Sequence, residues 1–155
     1  MTGSGPEQRL ADLGLEVPEV AAPVAAYVPA VSTGSLVFTA GQLPLRSGQL
    51  IATGLVGQGV SPEEATLCAQ QCVLNAIAAV KAEAGDLTRV RRVVKVVVFV
   101  ASTPDFTGQP QVANGASELL GEVFGDAGRH ARSAVGVAAL PMAAPVEVEL
   151  VVEVG

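Results

Sequence analysis

Aromatic and basic residues are scarce in this chain of 155 residues. It has no tryptophan, one tyrosine and four phenylalanines, and fifteen acidic residues outnumber nine lysines and arginines, so that the formal net charge is −6. Proteins that bind nucleic acids usually present a basic surface, and those that hold single strands add aromatic side chains on which bases stack. The composition therefore argues against a nucleic-acid partner.

Metal ligands are equally scarce. His130 is the single histidine, and the two cysteines, Cys68 and Cys72, lie four residues apart in a segment that we predict to be helical. Their spacing is compatible with a disulfide, with a pair of metal ligands and with two core residues. A zinc site needs further ligands, and His130 is far along the chain, so the pattern favours two small buried hydrophobic residues. We expect no metal ion and, since no glycine-rich phosphate-binding motif occurs between residues 43 and 59, no nucleotide cofactor.

The chain also lacks a long hydrophobic run, although half of its residues are hydrophobic. The longest such run, Val96 to Ala101, is far too short to span a bilayer. The first ten residues, MTGSGPEQRL, contain neither a basic start nor an apolar stretch typical of a secretory signal. We therefore predict a soluble, cytoplasmic protein with no membrane partner.

Turn residues, helix caps and hydrophobic periodicity divide the chain into eight predicted elements. Three are helical: a short helix at Pro6–Leu13, a helix that Ser61 caps and that ends near residues 81–84, and a helical region at Asp105–Phe124. Pro110 breaks this last region, and the helix resumes near Val112. The strands are the hairpin Tyr27–Val31 and Leu36–Ala40, followed by Val90–Val100, Ala134–Ala139 and Val146–Val154.

This order of elements predicts an α+β fold in which two main helices cover one face of a sheet. The length suits a single domain over residues 1–155. The strand at 90–100 is apolar on both sides, and the face away from the helices still carries Val93, Val97 and Phe99, or their alternates. Since no third helix is available to cover that face, we expect a partner subunit to do so.

Arg132 and Glu147 are the polar residues that stand out from their surroundings. Arg132 begins an apolar strand, and its planar guanidinium matches a carboxylate in two parallel hydrogen bonds. Glu147 lies on the polar face of the following strand. If the two strands are neighbours, the pair forms either a small binding site with one cation and one base, or an ion pair that only sets the register.

Three stretches resemble the RidA/YjgF family of reactive-intermediate deaminases. They are Tyr27–Leu45 (YVPAVSTGSLVFTAGQLPL), Val93–Phe106 (VVKVVVFVASTPDF) and Ala131–Val154 (ARSAVGVAALPMAAPVEVELVVEV), and they occur in the family's order. Residues 1–20 then form an N-terminal extension typical of a longer subgroup.

The resemblance implies a chorismate mutase-like fold with a mixed β-sheet, assembled as a homotrimer with sites between subunits. It implies hydrolysis of reactive enamines and imines, such as 2-aminoacrylate, to 2-keto acids and ammonia. Arg132 matches the family's carboxylate clamp, and Glu147 matches the group that orients or activates water. Tyr27 and Asn114 match residues that line the site, and Gly41 matches the glycine whose backbone approaches the ligand.

Other residues leave alternatives open. His130, two residues before Arg132, is either a substrate-binding acid or base or a loop histidine that faces solvent. Ala40 and Ala134 replace a serine and a cysteine common in the family, so the pocket differs in size and polarity. A member that binds small carboxylates without catalysis is the alternative to a deaminase. An endoribonuclease, a label often given to the family, is disfavoured by the net charge of −6.

Overall fold

Three α-helices and nine strands make up the described part of the computed structural model, which covers residues 4–20, 22–23 and 25–155. The helices are α1 (Pro6–Asp12), α2 (Pro62–Ala84) and α3 (Gln109–Phe124). The strands are β1 (Ala30–Thr33), β2 (Leu36–Thr39), β3 (Leu45–Arg46), β4 (Gln49–Leu50), β5 (Leu55–Val56), β6 (Gly59–Val60), β7 (Val90–Ala101), β8 (Ala131–Val137) and β9 (Val146–Val154).

Five of the strands form one mixed sheet in the order β1-β2-β9-β7-β8. The β7–β8 pair is parallel, and the other pairs are antiparallel. A parallel pair needs a crossover connection, which α3 supplies between β7 and β8. The predicted α+β fold is confirmed, and β8 becomes an edge strand at the side of the sheet opposite to β1.

The predicted start of α2 is confirmed in detail. The Ser61 hydroxyl accepts a hydrogen bond from the backbone N–H of Glu64, and the Glu64 carboxylate accepts one from the N–H of Ser61. Pro62 occupies the first turn, where its missing N–H costs nothing. Gly85 ends the helix at a φ of 90°, which few other residues tolerate.

The predicted start of α3 was wrong. The helix begins at Gln109, and residues 105–108 lie outside it. Pro110 therefore sits in the first turn, where no intrahelical N–H is needed, and it does not break the helix. From Val112 onward α3 buries one face against α2 and the sheet.

The predicted alternation of β9 is confirmed at the same bounds. Its even-numbered positions Val146, Val148, Leu150 and Val152 are buried on the helix side. The intervening residues, which include Glu147 and Glu149, therefore lie on the other face of the sheet. β8 runs from residue 131 to 137 rather than from 134 to 139, so it includes Arg132.

The sheet face away from the helices is partly apolar and uncovered within the described chain. Cross-strand pairs place Val31, Phe38 and Val135 on this face, where they are 52%, 40% and 44% exposed. The short helix α1 packs against α3 instead, in the helix layer. One residue expected on the open face, Val93, is fully buried, because a register shift between Val93 and Lys95 turns it toward the helices.

Cys68 and Cys72 are free and buried, as predicted for two core residues. The Cys72 thiol donates a hydrogen bond of 3.5 Å to the carbonyl oxygen of Val146. Burial raises the pKa of Cys68 to about 11, with Glu64 adding to the effect, and raises the pKa of Cys72 as well. Both thiols therefore stay protonated and unreactive at neutral pH.

Two features are absent from the described residues. No helix among them is long and apolar enough to cross a membrane. No group of three or more histidine, cysteine, aspartate or glutamate side chains lies close enough together to hold a metal ion.

Candidate active site

The side chain of Arg132 lies between β8 and α3. Arg132 pairs with Val96 of β7, which is buried beneath the helices, so the arginine projects toward the helix side of the sheet. Its Nη1 donates hydrogen bonds to Asn114 Oδ1 at 2.8 Å and to Ser117 Oγ at 3.1 Å. Both acceptors are on α3, three residues apart and therefore on one face of the helix. They fix the direction in which the guanidinium points.

His130 extends this cluster and is not a histidine that simply faces solvent. Its ring is half-buried, and it is hydrogen-bonded at both nitrogens. Nε2 lies 2.9 Å from Ser117 Oγ, and Nδ1 lies 2.6 Å from the carbonyl oxygen of Gly128. Ser117 thus connects His130 to Arg132.

Glu147 lies on the open face of the sheet and packs against Gly41. Glu147 pairs with Phe99 of β7, whose side chain also lies on that face. A Cβ atom at Gly41 would lie 2.8 Å from Cδ and 3.1 Å from Cγ of Glu147, and closer still to its Oε1. The carboxylate therefore approaches the backbone in a way that only glycine at position 41 permits.

The pKa of Glu147 is raised, primarily by burial and secondarily by the charge of Glu149. An arginine beside this carboxylate would favour its ionised form. Within one chain the structure brings no cation to Glu147 among the described residues. A raised pKa moves a carboxylate toward the range in which it can both take up and return a proton near neutral pH.

Arg132 and Glu147 belong to strands that are not neighbours, because β7 separates β8 from β9. Val96 pairs with both Arg132 and Leu150 on the helix side, whereas Glu147 is three positions along β9 on the opposite face. From the spacing of strands and residues, the two backbone positions are on the order of 14 Å apart. A register-setting ion pair between them within one subunit is therefore excluded.

Tyr27 lies far from Arg132 as well. It precedes β1, at the opposite edge of the sheet from β8, and it is 49% exposed. Because β1 and β2 are antiparallel, the start of β1 lies beside the end of β2, where Gly41 follows. Tyr27 is thus at the same end of the sheet as Gly41 and Glu147.

The predicted residues, together with Ser117, fall into two groups in one subunit. We call Arg132, Asn114, Ser117 and His130 the arginine half-site, and Glu147, Gly41 and Tyr27 the glutamate half-site. The arginine half-site supplies a positioned cation and the glutamate half-site supplies a partly buried carboxylate. Neither alone combines the two groups that the predicted chemistry requires.

Ser117 was missed by the analysis of the sequence. A serine within a helix of apolar periodicity usually has no special role. A signal was nevertheless present: Asn114 and Ser117 are three apart on a helix, while His130 and Arg132 are two apart on an extended segment. Each pair shares a face of its element, which made a polar contact between the two faces conceivable.

A family model described as "YjgF/chorismate mutase-like, putative endoribonuclease" matches residues 7–154. Among solved structures, a protein of unknown function from Agrobacterium tumefaciens, Atu1372, is 46% identical, with a TM-score of 0.89 over 96% of this chain and 91% of that one. The range matched by the family model contains the residues of both half-sites.

Two relatives are similar in sequence over most of their length. Protein TCP17 of Trypanosoma cruzi is 47% identical over 142 residues, which are 91% of this chain and 89% of that protein. A 2-iminobutanoate/2-iminopropanoate deaminase of Dermatophagoides farinae is 32% identical over 138 residues, which are 89% of this chain and 93% of that protein.

Proposed function

This chain belongs to the YjgF/chorismate mutase-like family, and from this premise we propose that it hydrolyses reactive 2-imino acids and their enamine tautomers to 2-keto acids and ammonia. The relative from Dermatophagoides farinae, named for deamination of 2-iminobutanoate and 2-iminopropanoate, supports the choice of reaction. The observation that carries the proposal is the guanidinium of Arg132, which Asn114 and Ser117 hold in place for a carboxylate.

Such substrates match the hydrogen-bond donors of Arg132 that Asn114 and Ser117 do not use. Both hydrogens of its Nη1 are used by Asn114 and Ser117, whereas Nε and Nη2 have no acceptor among the described residues. These two nitrogens form one edge of the guanidinium and match the two oxygens of a carboxylate. A 2-imino acid bound in this way has its C2 carbon next to the clamped carboxylate.

We propose that the glutamate half-site of a neighbouring subunit completes the site. Within a subunit Glu147 is on the wrong sheet face to reach a ligand on Arg132, so the two half-sites can meet only across an interface. The uncovered, partly apolar sheet face is the surface that an assembly would bury. The family resemblance supplies the number of subunits, which is three.

We expect the purified protein to be a homotrimer. Burial of Phe38, Val31 and Val135 between subunits would remove exposed apolar area from water, and this favours association. Light scattering coupled to size-exclusion chromatography measures the mass directly. A stable monomer at micromolar concentration would contradict both the assembly and the shared site.

In the proposed reaction Glu147 acts as base and then as acid. Water attacks the electrophilic C2 of the imine while Glu147 removes one of its protons, so that a C–O bond forms and the C=N bond becomes single. Glu147 passes this proton to the nitrogen, which gives a carbinolamine. It then transfers the proton of the new hydroxyl group to the same nitrogen, so that the C=O bond of the 2-keto acid forms as the C–N bond breaks and ammonia leaves. Arg132 holds the carboxylate throughout, and its contribution is orientation.

We expect kcat to depend on pH through the ionisation of Glu147. In the substrate complex the substrate carboxylate neutralises Arg132, so burial and Glu149 still hold the pKa of Glu147 above its ordinary value of 4.5. Because Glu147 must be ionised to accept a proton, kcat should fall as the pH drops, with a midpoint above 4.5. Replacing Glu149 by glutamine should move this midpoint to lower pH. A kcat that stays constant down to pH 4.5 would contradict the assignment.

The direct test of function is an assay on freshly generated 2-iminopropanoate that follows pyruvate formation above the spontaneous rate. The Arg132→Ala variant is the control for contaminating activity. Acceleration by the wild-type protein that the variant lacks would support the deaminase. Pyruvate binding without any acceleration would instead support a protein that only binds small carboxylates, since that role needs Arg132 but not Glu147.

A ribonuclease activity has less support, although the description of the family mentions one. The chain carries a net charge of −6 and five aromatic residues other than histidine, a poor basis for holding an RNA backbone or stacking its bases. A nuclease-free preparation incubated with RNA serves as the negative control for the deaminase assay.

A further inference from the structure

Behind the clamp, a chain of hydrogen bonds runs from Arg132 through Ser117 and the only histidine, His130, to the carbonyl oxygen of Gly128. We infer that His130 and Ser117 are positioning residues which lock the guanidinium of Arg132 so that its Nε–Nη2 edge alone faces the substrate carboxylate. The inference rests on the proposed function and adds the part of the site that decides how the carboxylate is held.

The direction of the chain follows from its two ends. The carbonyl oxygen of Gly128 can only accept, so the Nδ1 of His130, at 2.6 Å, must carry the hydrogen. In the neutral ring Nε2 is then an acceptor, and the Ser117 hydroxyl donates to it at 2.9 Å. Ser117 Oγ therefore turns its lone pairs toward Arg132, whose Nη1 donates to it at 3.1 Å.

The opposite tautomer would disrupt the chain. A hydrogen on Nε2 would point at Ser117 Oγ, and a bare Nδ1 would face the lone pairs of the Gly128 carbonyl at 2.6 Å, which is repulsive. His130 thus orients the hydroxyl of Ser117, and this hydroxyl in turn positions Nη1 of Arg132. Asn114 Oδ1 holds the other hydrogen of Nη1.

Close backbone packing makes both ends of the chain rigid. Gly128 lies against the carbonyl of Leu120 in α3, and an added Cβ would come within 2.8 Å of that carbonyl carbon. Gly115, between Asn114 and Ser117, lies against Thr66 of α2, and an added Cβ would be 3.0 Å from its carbonyl carbon. The acceptors on α3 and the anchor of the histidine are therefore held by contacts that tolerate little movement.

Since His130 is the only histidine, nitrogen-15 NMR can read its tautomer without assignment. At a pH at which the ring is neutral, the expected result is a hydrogen on Nδ1, together with resolved signals for the Nη1 and Nη2 groups of Arg132, because two hydrogen bonds hinder rotation of Nη1. A hydrogen on Nε2, or a single averaged Nη signal in the wild-type protein, would overturn the inference. Neither measurement requires a ligand.

Two matched pairs of variants distinguish a role in this hydrogen-bond chain from a role in packing alone. His130→Gln keeps an acceptor near the position of Nε2, whereas His130→Asn keeps only the donor to Gly128. Likewise, Ser117→Thr keeps the hydroxyl and Ser117→Ala removes it. A Glu118→Gln variant, at the exposed neighbouring position of α3, is the control for charge and handling.

With pyruvate as the probe in calorimetry of the assembled protein, His130→Asn and Ser117→Ala should each weaken binding about tenfold, the effect of one hydrogen bond to a charged group. The KM should rise while kcat changes little. His130→Gln and Ser117→Thr should stay within about threefold of wild type. Equal affinity of all four variants for pyruvate would overturn the inference about His130 and Ser117, although it would leave the role of Arg132 as the carboxylate clamp unaffected. If wild type does not bind pyruvate, the proposed function fails, and the tautomer and the Nη signals still decide the role of His130.

Discussion

Replacing Glu147 by glutamine is expected to lower kcat by about 10²- to 10⁴-fold, the usual effect of removing one positioned general base. Glutamine has nearly the same shape and can occupy the space beside Gly41, but it cannot take a proton from water. Because Arg132 holds the substrate carboxylate, binding of pyruvate should be retained. Steady-state kinetics with 2-iminopropanoate, together with calorimetry for pyruvate, measures both quantities on the same preparation.

Glu149→Gln is the matched control. Glu149 lies two residues along β9 on the same open face and carries the same charge, but the side-chain atoms nearest to Gly41 are those of Glu147. Its replacement should change kcat at neutral pH far less than Glu147→Gln does. Similar losses in the two variants would show that the acidic face acts through its overall charge, and full activity of Glu147→Gln would remove this residue from the mechanism.

Replacing Arg132 by lysine is expected to weaken carboxylate binding by about tenfold to a hundredfold. Lysine keeps the positive charge but loses the planar edge that binds two oxygens at once. A single ammonium group also cannot satisfy Asn114 Oδ1, Ser117 Oγ and a ligand in the geometry that the guanidinium achieves. The loss corresponds to one or two hydrogen bonds between charged groups. Calorimetric titration with pyruvate measures it.

Arg129→Lys serves as the control for this substitution. Arg129 is exposed, lies three residues before Arg132, and its side chain makes no hydrogen bond to any described residue. We expect its affinity for pyruvate to equal that of wild type. If Arg132→Lys binds pyruvate as tightly as Arg129→Lys does, the clamp role of Arg132 is wrong.

Local signals in the sequence were sufficient for most elements of the fold. The capping residues Ser61 and Glu64 and the strict alternation of β9 each determine an element by contacts within a few residues, and both elements were predicted with the observed ends. The predicted break at Pro110 was wrong because a proline in the first turn of a helix cannot be distinguished, in the sequence alone, from a proline that breaks a helix. Which one applies depends on where the chain leaves β7, and that is set by tertiary packing.

Such local signals did not predict the order of the strands in the sheet. Consecutive strands are often neighbours, so β8 and β9 were considered as a pair that would bring Arg132 beside Glu147. Instead, the crossover through α3 places β8 outside β7, and β9 returns to the middle of the sheet. The face to which Arg132 points follows from its pairing with Val96, which only the three-dimensional register reveals.

The family resemblance named most of the residues of the two half-sites and implied sites between subunits, but it did not give the strand order that separates the half-sites within a subunit. It also left out Ser117, which becomes visible only when α3 and β8 are packed together. His130 was open to a solvent-facing interpretation because a glycine-rich segment precedes it. The same segment, through the tight packing of Gly128, fixes the carbonyl that orients its ring.

The central claim is that Arg132 of one subunit and Glu147 of its neighbour form one site, and mixed trimers test it most directly. Arg132→Ala and Glu147→Gln chains carrying different tags can be refolded together in equal amounts, and trimers that contain both tags can be isolated. If sites are shared, every mixed trimer has one intact site in three. Since about three quarters of randomly assembled trimers are mixed, the unfractionated mixture should recover about one quarter of wild-type activity. If each subunit contains its own complete site, mixed trimers will show no activity beyond the small residue of the two variants, and that result would contradict the claim.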